Sequence, residues 1–421
     1  MNNYTFFFKY FLDNWTTYLI CLIISVLIYT PIIKNTCKSI LDPLFLTLVL
    51  TLFANSVPIF LLFLGLISIE SFLYVVICEC LFWISYFVFA KKNIQFSKIK
   101  MHDSIAGDYC YLFFLCIMVV SHMITYLKFG IPLFMTSRLE TYSGGGGWGI
   151  LYYIQNFSIF YCAVYSMYLL KRKKLKFYSL LGLFLITIFS FLSGAKSAIM
   201  ILVYAYFFFS FFYLEKNIHL KRFIYYLIPF VLIFPIFLIS KQNDISPLAA
   251  FISLLRRFVA SGDVYWIALP DNVMDNVDIN NKFTYLFSRI LAMFRIIDPA
   301  QVETPIGVQL NWLVNPNEYG IIKGPNSRLP ILCWILFKWN GIILAPIFGF
   351  ICAFWRTWIP MYLPHGIIPI IFYGFIYVGL CGIFTDPLMG TSNFFSIFLF
   401  STILYAAYIL FGGRYIKLSP R

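Results

Sequence analysis

Side chains able to grip an anion are concentrated in one stretch of this 421-residue chain. Between positions 241 and 330 stand Lys241, Arg256, Arg257, Lys282, Arg289, Arg295, Lys323 and Arg328, set against Asp244, Asp263, Asp271, Asp275, Asp278, Asp298, Glu303 and Glu318. An arginine fork holds phosphate oxygens through two parallel bonds, which a lone ammonium does not. The run 252–267, ISLLRRFVASGDVYWI, spaces its apolar residues as a helix lying in a membrane interface would. Arginines at headgroup height suit a lipid-linked diphosphate. Contact with ordinary lipid phosphates accounts for each of them equally well.

Three shorter features add chemistry. The run 137–149, SRLETYSGGGGWG, follows Arg138 with a cluster of glycines; such backbone lies close over a substrate or serves as a plain connector. It is no nucleotide-binding motif, because no strand precedes it and no Gly-Lys-Ser follows. In the hairpin 193–197, SGAKS, Lys196 stands at the start of an apolar run, where the helix dipole adds to its charge. It either forms an anion site or snorkels to lipid phosphates. The run 315–330, NPNEYGIIKGPNSRLP, is rich in turn residues and carries Glu318. Glu318 is a candidate general base toward a sugar hydroxyl, or a structural partner of Arg328 or Lys323. Glu79, inside an apolar run, raises an ion-path or proton-relay role, and a single hydrogen bond to a neighbouring helix explains it as well. No His, Cys or carboxylate group has zinc spacing, so neither a metal nor another cofactor is expected.

Membrane helices must position these groups. The chain is 61% hydrophobic and only 11% charged, against about 25% charged in soluble domains. Apolar runs of about 20 residues, enough to cross the hydrocarbon, recur along its length. The pattern predicts an all-α polytopic membrane protein of about eleven transmembrane helices, one membrane domain over 1–421. Spans are expected near 15–33, 44–66, 70–90, 109–127, 150–170, 177–193, 197–214, 222–240, 340–358, 365–383 and 393–411. Lysine and arginine collect in alternate connections, at Lys34, Lys91, Lys171–Lys174, Lys216, Arg356 and Arg414 among others. The positive-inside rule puts those in the cytoplasm, and with them an odd span count and an exterior N-terminus. Residues 241–339 then form a long exterior loop with interfacial helices. The net charge of +14 reports orientation and not nucleic-acid binding. The first apolar run has no cleavage site before it and is read as a span that also directs insertion.

In this arrangement the chain resembles the bacterial O-antigen and capsule repeat-unit polymerases, which share a polytopic fold with O-antigen ligases. The likeness lies in the Arg-plus-glycine loop with ten residues between Arg138 and Gly149, the SGAKSA hairpin, the late exterior loop, and the GPNSRLP run leading into ILFKWNGIILAPIFG. Family members commonly have an arginine where Lys196 stands, so the charge is kept and the fork is not. The ligases use a histidine in the long loop, and 241–330 has none. The resemblance implies a metal-independent glycosyltransferase of the bacterial cytoplasmic (inner) membrane, acting on undecaprenyl-diphosphate-linked oligosaccharide. A chain-length regulator and a flippase of the same pathway would be its partners. It also implies roles: Arg138, Lys196, Arg256, Arg257, Arg289, Arg295 and Arg328 toward the diphosphate, with Arg295 and Glu318 closest to the reaction, and Tyr265, Trp266 and Trp312 as faces for sugar rings. A ligase or a lipid-linked oligosaccharide flippase is the alternative.

Overall fold

A computed structural model describes residues 1–91, 101, 105–135, 149–195, 198–214, 233, 235–241, 244, 246–298, 301–363 and 366–411, without the side chains at 4, 289, 293, 395, 396, 398 and 399. All regular structure among them is helical. The helices are α1 (Trp15–Thr36), α2 (Pro43–Phe63), α3 (Ile69–Phe89), α4 (Ile105–Phe129), α5 (Gly149–Arg172), α6 (Lys176–Leu192), α7 (Met200–Tyr213), α8 (Pro247–Val259), α9 (Asp263–Ala268), α10 (Lys282–Met293), α11 (Ile306–Val314), α12 (Leu329–Phe337), α13 (Leu344–Thr357), α14 (Ile367–Cys381) and α15 (Pro387–Leu410). Hydrocarbon offers no hydrogen-bond partner, so apolar runs must satisfy their own backbone as helices.

Among the described residues six segments are long and apolar enough to cross a membrane: Trp15–Thr36, Pro43–Phe63, Ile69–Phe89, Ile105–Phe134, Leu329–Tyr362 and Ile367–Phe384. Lys176–Leu192, Met200–Tyr213 and Phe400–Leu410 are shorter apolar helices. The chain is therefore an all-helical, multi-pass type. The expected eleven spans are not reached among the described residues, and most of the span expected at 222–240 lies outside them. Leu329 to Leu336, the apolar end of the expected loop, are all buried. The polar Lys338, Trp339 and Asn340 mark a 3-10 break, Lys338–Ile343, inside the segment Leu329–Tyr362.

The chain divides into two compact units. One comprises Met1–Lys92, Leu255–Trp358 and Gly379–Ser392, the other Asn93–Leu254, Ile359–Val378 and Asn393–Arg421. In the second unit α5 packs between α4, α6 and α7. Gln155 donates to Ser121 O (3.0 Å) and Thr125 Oγ1 (2.7 Å), while Asp108 pairs with Arg172 (3.1 Å). His122 is buried, stacked on Phe189 with centroids 4.2 Å apart.

In the first unit α1 and α2 run antiparallel, with Ser25 Oγ donating to Leu52 O (2.7 Å) and Ser56 Oγ to Tyr18 OH (3.1 Å). Helices α3 and α13 run parallel. Near their starts Trp339 Nε1 donates to Glu70 (3.0 Å); further along Ser85 Oγ donates to Pro346 O (2.7 Å), and at their ends Trp358 Nε1 donates to Phe89 O (2.9 Å). Gly349 permits this approach, since a Cβ there would run into Phe82 O. Asp42 caps α2 through Leu44 N (3.1 Å) and is itself fixed by Arg356 (2.9 Å), which also donates to Thr36 O. Arg356 and Arg172, expected on the cytoplasmic side, are both held in ion pairs with little exposed surface. Removing one partner of a buried pair strands the other charge. Asp42→Ala should lower stability by about 3–5 kcal/mol, and Asp42→Ala with Arg356→Met should recover much of it, as read from thermal unfolding of the purified protein in detergent.

Candidate functional site

The site begins with a proline. Pro58, in the interior of α2, has no N–H to give the carbonyl of Ala54. The chain after α8 comes down against α2 at that level. A Cβ on Gly262 would lie 2.8 Å from Ala54 O and from Val57 Cγ2, so only glycine fits there. Ser261 Oγ donates to Leu50 O (2.9 Å), and Tyr265 OH to Asn55 Oδ1 (3.1 Å). From this low point the chain climbs through α9 to Asp275, which accepts from Trp334 Nε1 (2.7 Å) and Lys338 Nζ (2.6 Å). Lys338 lies next to Tyr74, whose hydroxyl donates to Lys338 O (3.2 Å) near the start of α3.

A second descent ends at Arg328, which starts α12 with φ +32°. Helix α12 then climbs to Lys338, so α12 and α13 run in opposite directions along α3. The expected loop thus meets the interior of a candidate span twice, at Ser261–Gly262 and at Arg328. The two descents meet at one side chain. Arg328 Nε donates to Ser261 O (2.9 Å), Nη1 to Thr51 Oγ1 and Phe384 O (both 3.3 Å), and Nη2 to Leu50 O (3.5 Å). Arg328 is 2% exposed. Its fork is committed to the protein's own oxygens, which corrects its assignment to a diphosphate.

The Arg328 charge acts on two carboxylates, Asp263 in α9 and Glu79 in α3. Burial pushes the Asp263 carboxyl up to about 7, against the pull of Arg328, the Val264 N–H and Arg257. Glu79 ends a directed chain of hydrogen bonds: Tyr265 OH to Asn55 Oδ1, Asn55 Nδ2 to Tyr29 OH (2.6 Å), and Tyr29 OH to Glu79 Oε2 (2.9 Å). Of the two readings of Glu79, the bond to a neighbouring helix is present.

Tyr265 and Trp266 are fully buried. Trp266 stacks on Phe6 (3.8 Å, 11°) and donates to Asn3 Oδ1 (2.9 Å), so both rings are packing elements and offer no open face to a sugar. Trp312 is half-buried beside the exposed Tyr319 (4.8 Å, 47°), and its Nε1 donates to Ile321 O (2.9 Å). Glu318 accepts from Asn311 Nδ2 (2.8 Å) and Lys323 Nζ (3.0 Å). These bonds hold its carboxyl below the ordinary range and weaken it as a base. Of its expected partners Lys323 is the one found.

Arg256 is exposed and lies over Phe7 (4.4 Å) and Phe8 (5.7 Å). Arg257 and Arg295 are exposed, Arg295 with φ +56° just past α10. Arg138, Lys196 and the Arg289 side chain lie outside the described residues. Among the described residues Arg328 is buried, whereas Arg256, Arg257 and Arg295 are exposed. The structure gathers Arg328, Asp263, Glu79, Asn55 and Tyr29, of which Asn55 and Tyr29 went unnoticed in the sequence. Pro58 and the Ser261-Gly262-Asp263 run were the available signals.

Two outcomes test this arrangement. Arg328→Lys, with one ammonium in place of a fork, should melt well below the wild type, and Arg328→Ala should cost about 3–5 kcal/mol. For Asp263 the folded carboxyl titrates higher than the unfolded one, so its contribution is fully present below about pH 4 and is lost as pH rises through about 7. Asp263→Asn should remove that fall from melting temperatures measured across the same interval. No protein-family model, curated protein or solved structure matches this chain.

Proposed function

We propose that this chain polymerises undecaprenyl-diphosphate-linked oligosaccharide repeat units into O-antigen or capsular polysaccharide at the exterior face of the bacterial cytoplasmic membrane, as a metal-independent glycosyltransferase. The observation that carries this reading is a pair of amphipathic helices next to arginines. Helix α8 exposes Leu248, Phe251, Ile252 and Leu255 and ends in Arg256 and Arg257; α10 exposes Phe283 and Phe287 and is followed by Arg295. Such faces lie in a membrane interface, which brings the guanidinium groups to lipid phosphates. Arg256 packs over Phe7 and Phe8, whose neighbour Phe6 meets Phe60 (6.1 Å) near the end of α2.

In this reaction a sugar hydroxyl of one lipid-linked unit attacks the anomeric carbon of a glycan on another. The bond to the lipid diphosphate breaks, and the diphosphate leaves with the electron pair. Arg256, Arg257 and Arg295 stabilise the charge that develops on it. Tyr319 and Trp312 offer a ring pair to a sugar. Glu318 is a weakened base, so the reaction depends more on the leaving group than on deprotonation of the acceptor. Deletion of the gene should leave carrier or core lipid with a single repeat unit and no ladder on a surface-glycan gel. An unchanged ladder would sink the reading, and loss of every attached unit would favour a ligase or flippase. Arg256→Lys and Arg295→Lys should each shorten the ladder; full-length polymer in both returns these residues to ordinary lipid contact.

A further inference from the structure

Helices α1, α2 and α3 line a groove of about 1130 Å³, somewhat above the roughly 300–1,000 Å³ usual for small-molecule sites. Along α3 it runs from Phe72 to Ala90, roughly 27 Å at 1.5 Å per residue. It is long, narrow in its helical footing and almost wholly apolar, with Ile28, Val76 and Ile84 exposed along its sides. That shape suits an extended hydrocarbon chain.

Its polar groups lie together midway along α3. Ser25 Oγ is used by Leu52 O, and Tyr29 and Asn55 are used by each other and by Tyr265 and Glu79. Two capacities remain. Glu79 accepts from Tyr29 through Oε2 and keeps Oε1, with Asn55 and Trp83 close beside the carboxylate. Trp83 is 6% exposed and lines the groove, and its Nε1 has no hydrogen-bond partner, although the ring lies close enough to Glu79 to act on it. A buried N–H is seldom left unpaired. One unused acceptor beside one unused donor is the complement of a hydroxyl, which gives one hydrogen bond and takes another. A phosphate group fits neither the carboxylate nor the depth, whereas an uncharged alcohol sinks to this level at small cost.

We propose that the groove between α1, α2 and α3 binds an uncharged long-chain lipid alcohol, its hydroxyl donating to Glu79 and accepting from the Trp83 indole while its hydrocarbon lies along Ile28, Val76 and Ile84. The inference stands apart from the polymerase reading, since it uses none of the arginines and tests binding without turnover.

The test uses the full chain in phosphatidylglycerol vesicles with a photoreactive twenty-carbon isoprenoid alcohol as probe. Crosslinks mapped by mass spectrometry should fall on α1 and α3. Unlabelled alcohol should compete, while its methyl ether, which cannot donate, and its phosphate should compete about tenfold less well, as for one net hydrogen bond lost. Trp83→Phe should weaken labelling to a similar extent. Val76→Trp, which fills the groove from an exposed position and leaves the core untouched, should abolish it. Equal competition by alcohol and ether would overturn the proposal and mark the groove as a place for bulk acyl chains. Labelling spread evenly over α4 and α1, or undiminished in Val76→Trp, would overturn it as well.

Discussion

A single guanidinium, that of Arg328, fixes how the longest polar stretch of the chain is placed. An arginine without water is costly, and the cost falls only when its donors find oxygens in fixed positions. Here the oxygens belong to Ser261, Thr51, Leu50 and Phe384. They come from segments far apart in sequence, and the planar fork can reach all of them because its donors point in different directions. The same charge lies near Asp263 and Glu79, so it is balanced electrostatically as well as hydrogen-bonded.

The backbone prepares the place where this happens. Pro58 gives no N–H to the α2 ladder, Gly262 admits the descending chain, and Ser261 supplies both a hydroxyl for α2 and a carbonyl for Arg328. From that junction Tyr265, Asn55, Tyr29 and Glu79 carry hydrogen bonds across α2 and α1 to α3. The aromatic layer above it, Trp266 on Phe6, ties the first residues of the chain to the same segment.

Composition was sufficient for the helical, multi-pass character and for the odd density of charge between 241 and 330, because apolar runs of membrane length have few other readings. The pairing of Glu318 with Lys323 was also legible, since they stand close together in a turn-rich run. The interior position of Arg328, Tyr265 and Trp266 was not. A charged, aromatic stretch between spans has the same composition whether it lies outside the membrane helices or dips between them; the difference is made by acceptors contributed from α2 and the segment before α15. The ion pairs of Arg172 and Arg356 were hidden for a related reason. Counting positive charges gives a side for each connection, and it does not reveal a carboxylate that arrives from another helix.

The parallel pairing of α3 with α13 sets a rule of parity for the route between them. Two neighbours that traverse a bilayer in the same sense both start at one face. The chain that leaves Phe89 on one side must therefore return to the other before Leu344, which takes an odd number of crossings. The two dips leave that number unchanged, because each comes back to the face from which it started. Any revision of the passes between those residues must add or remove them in pairs.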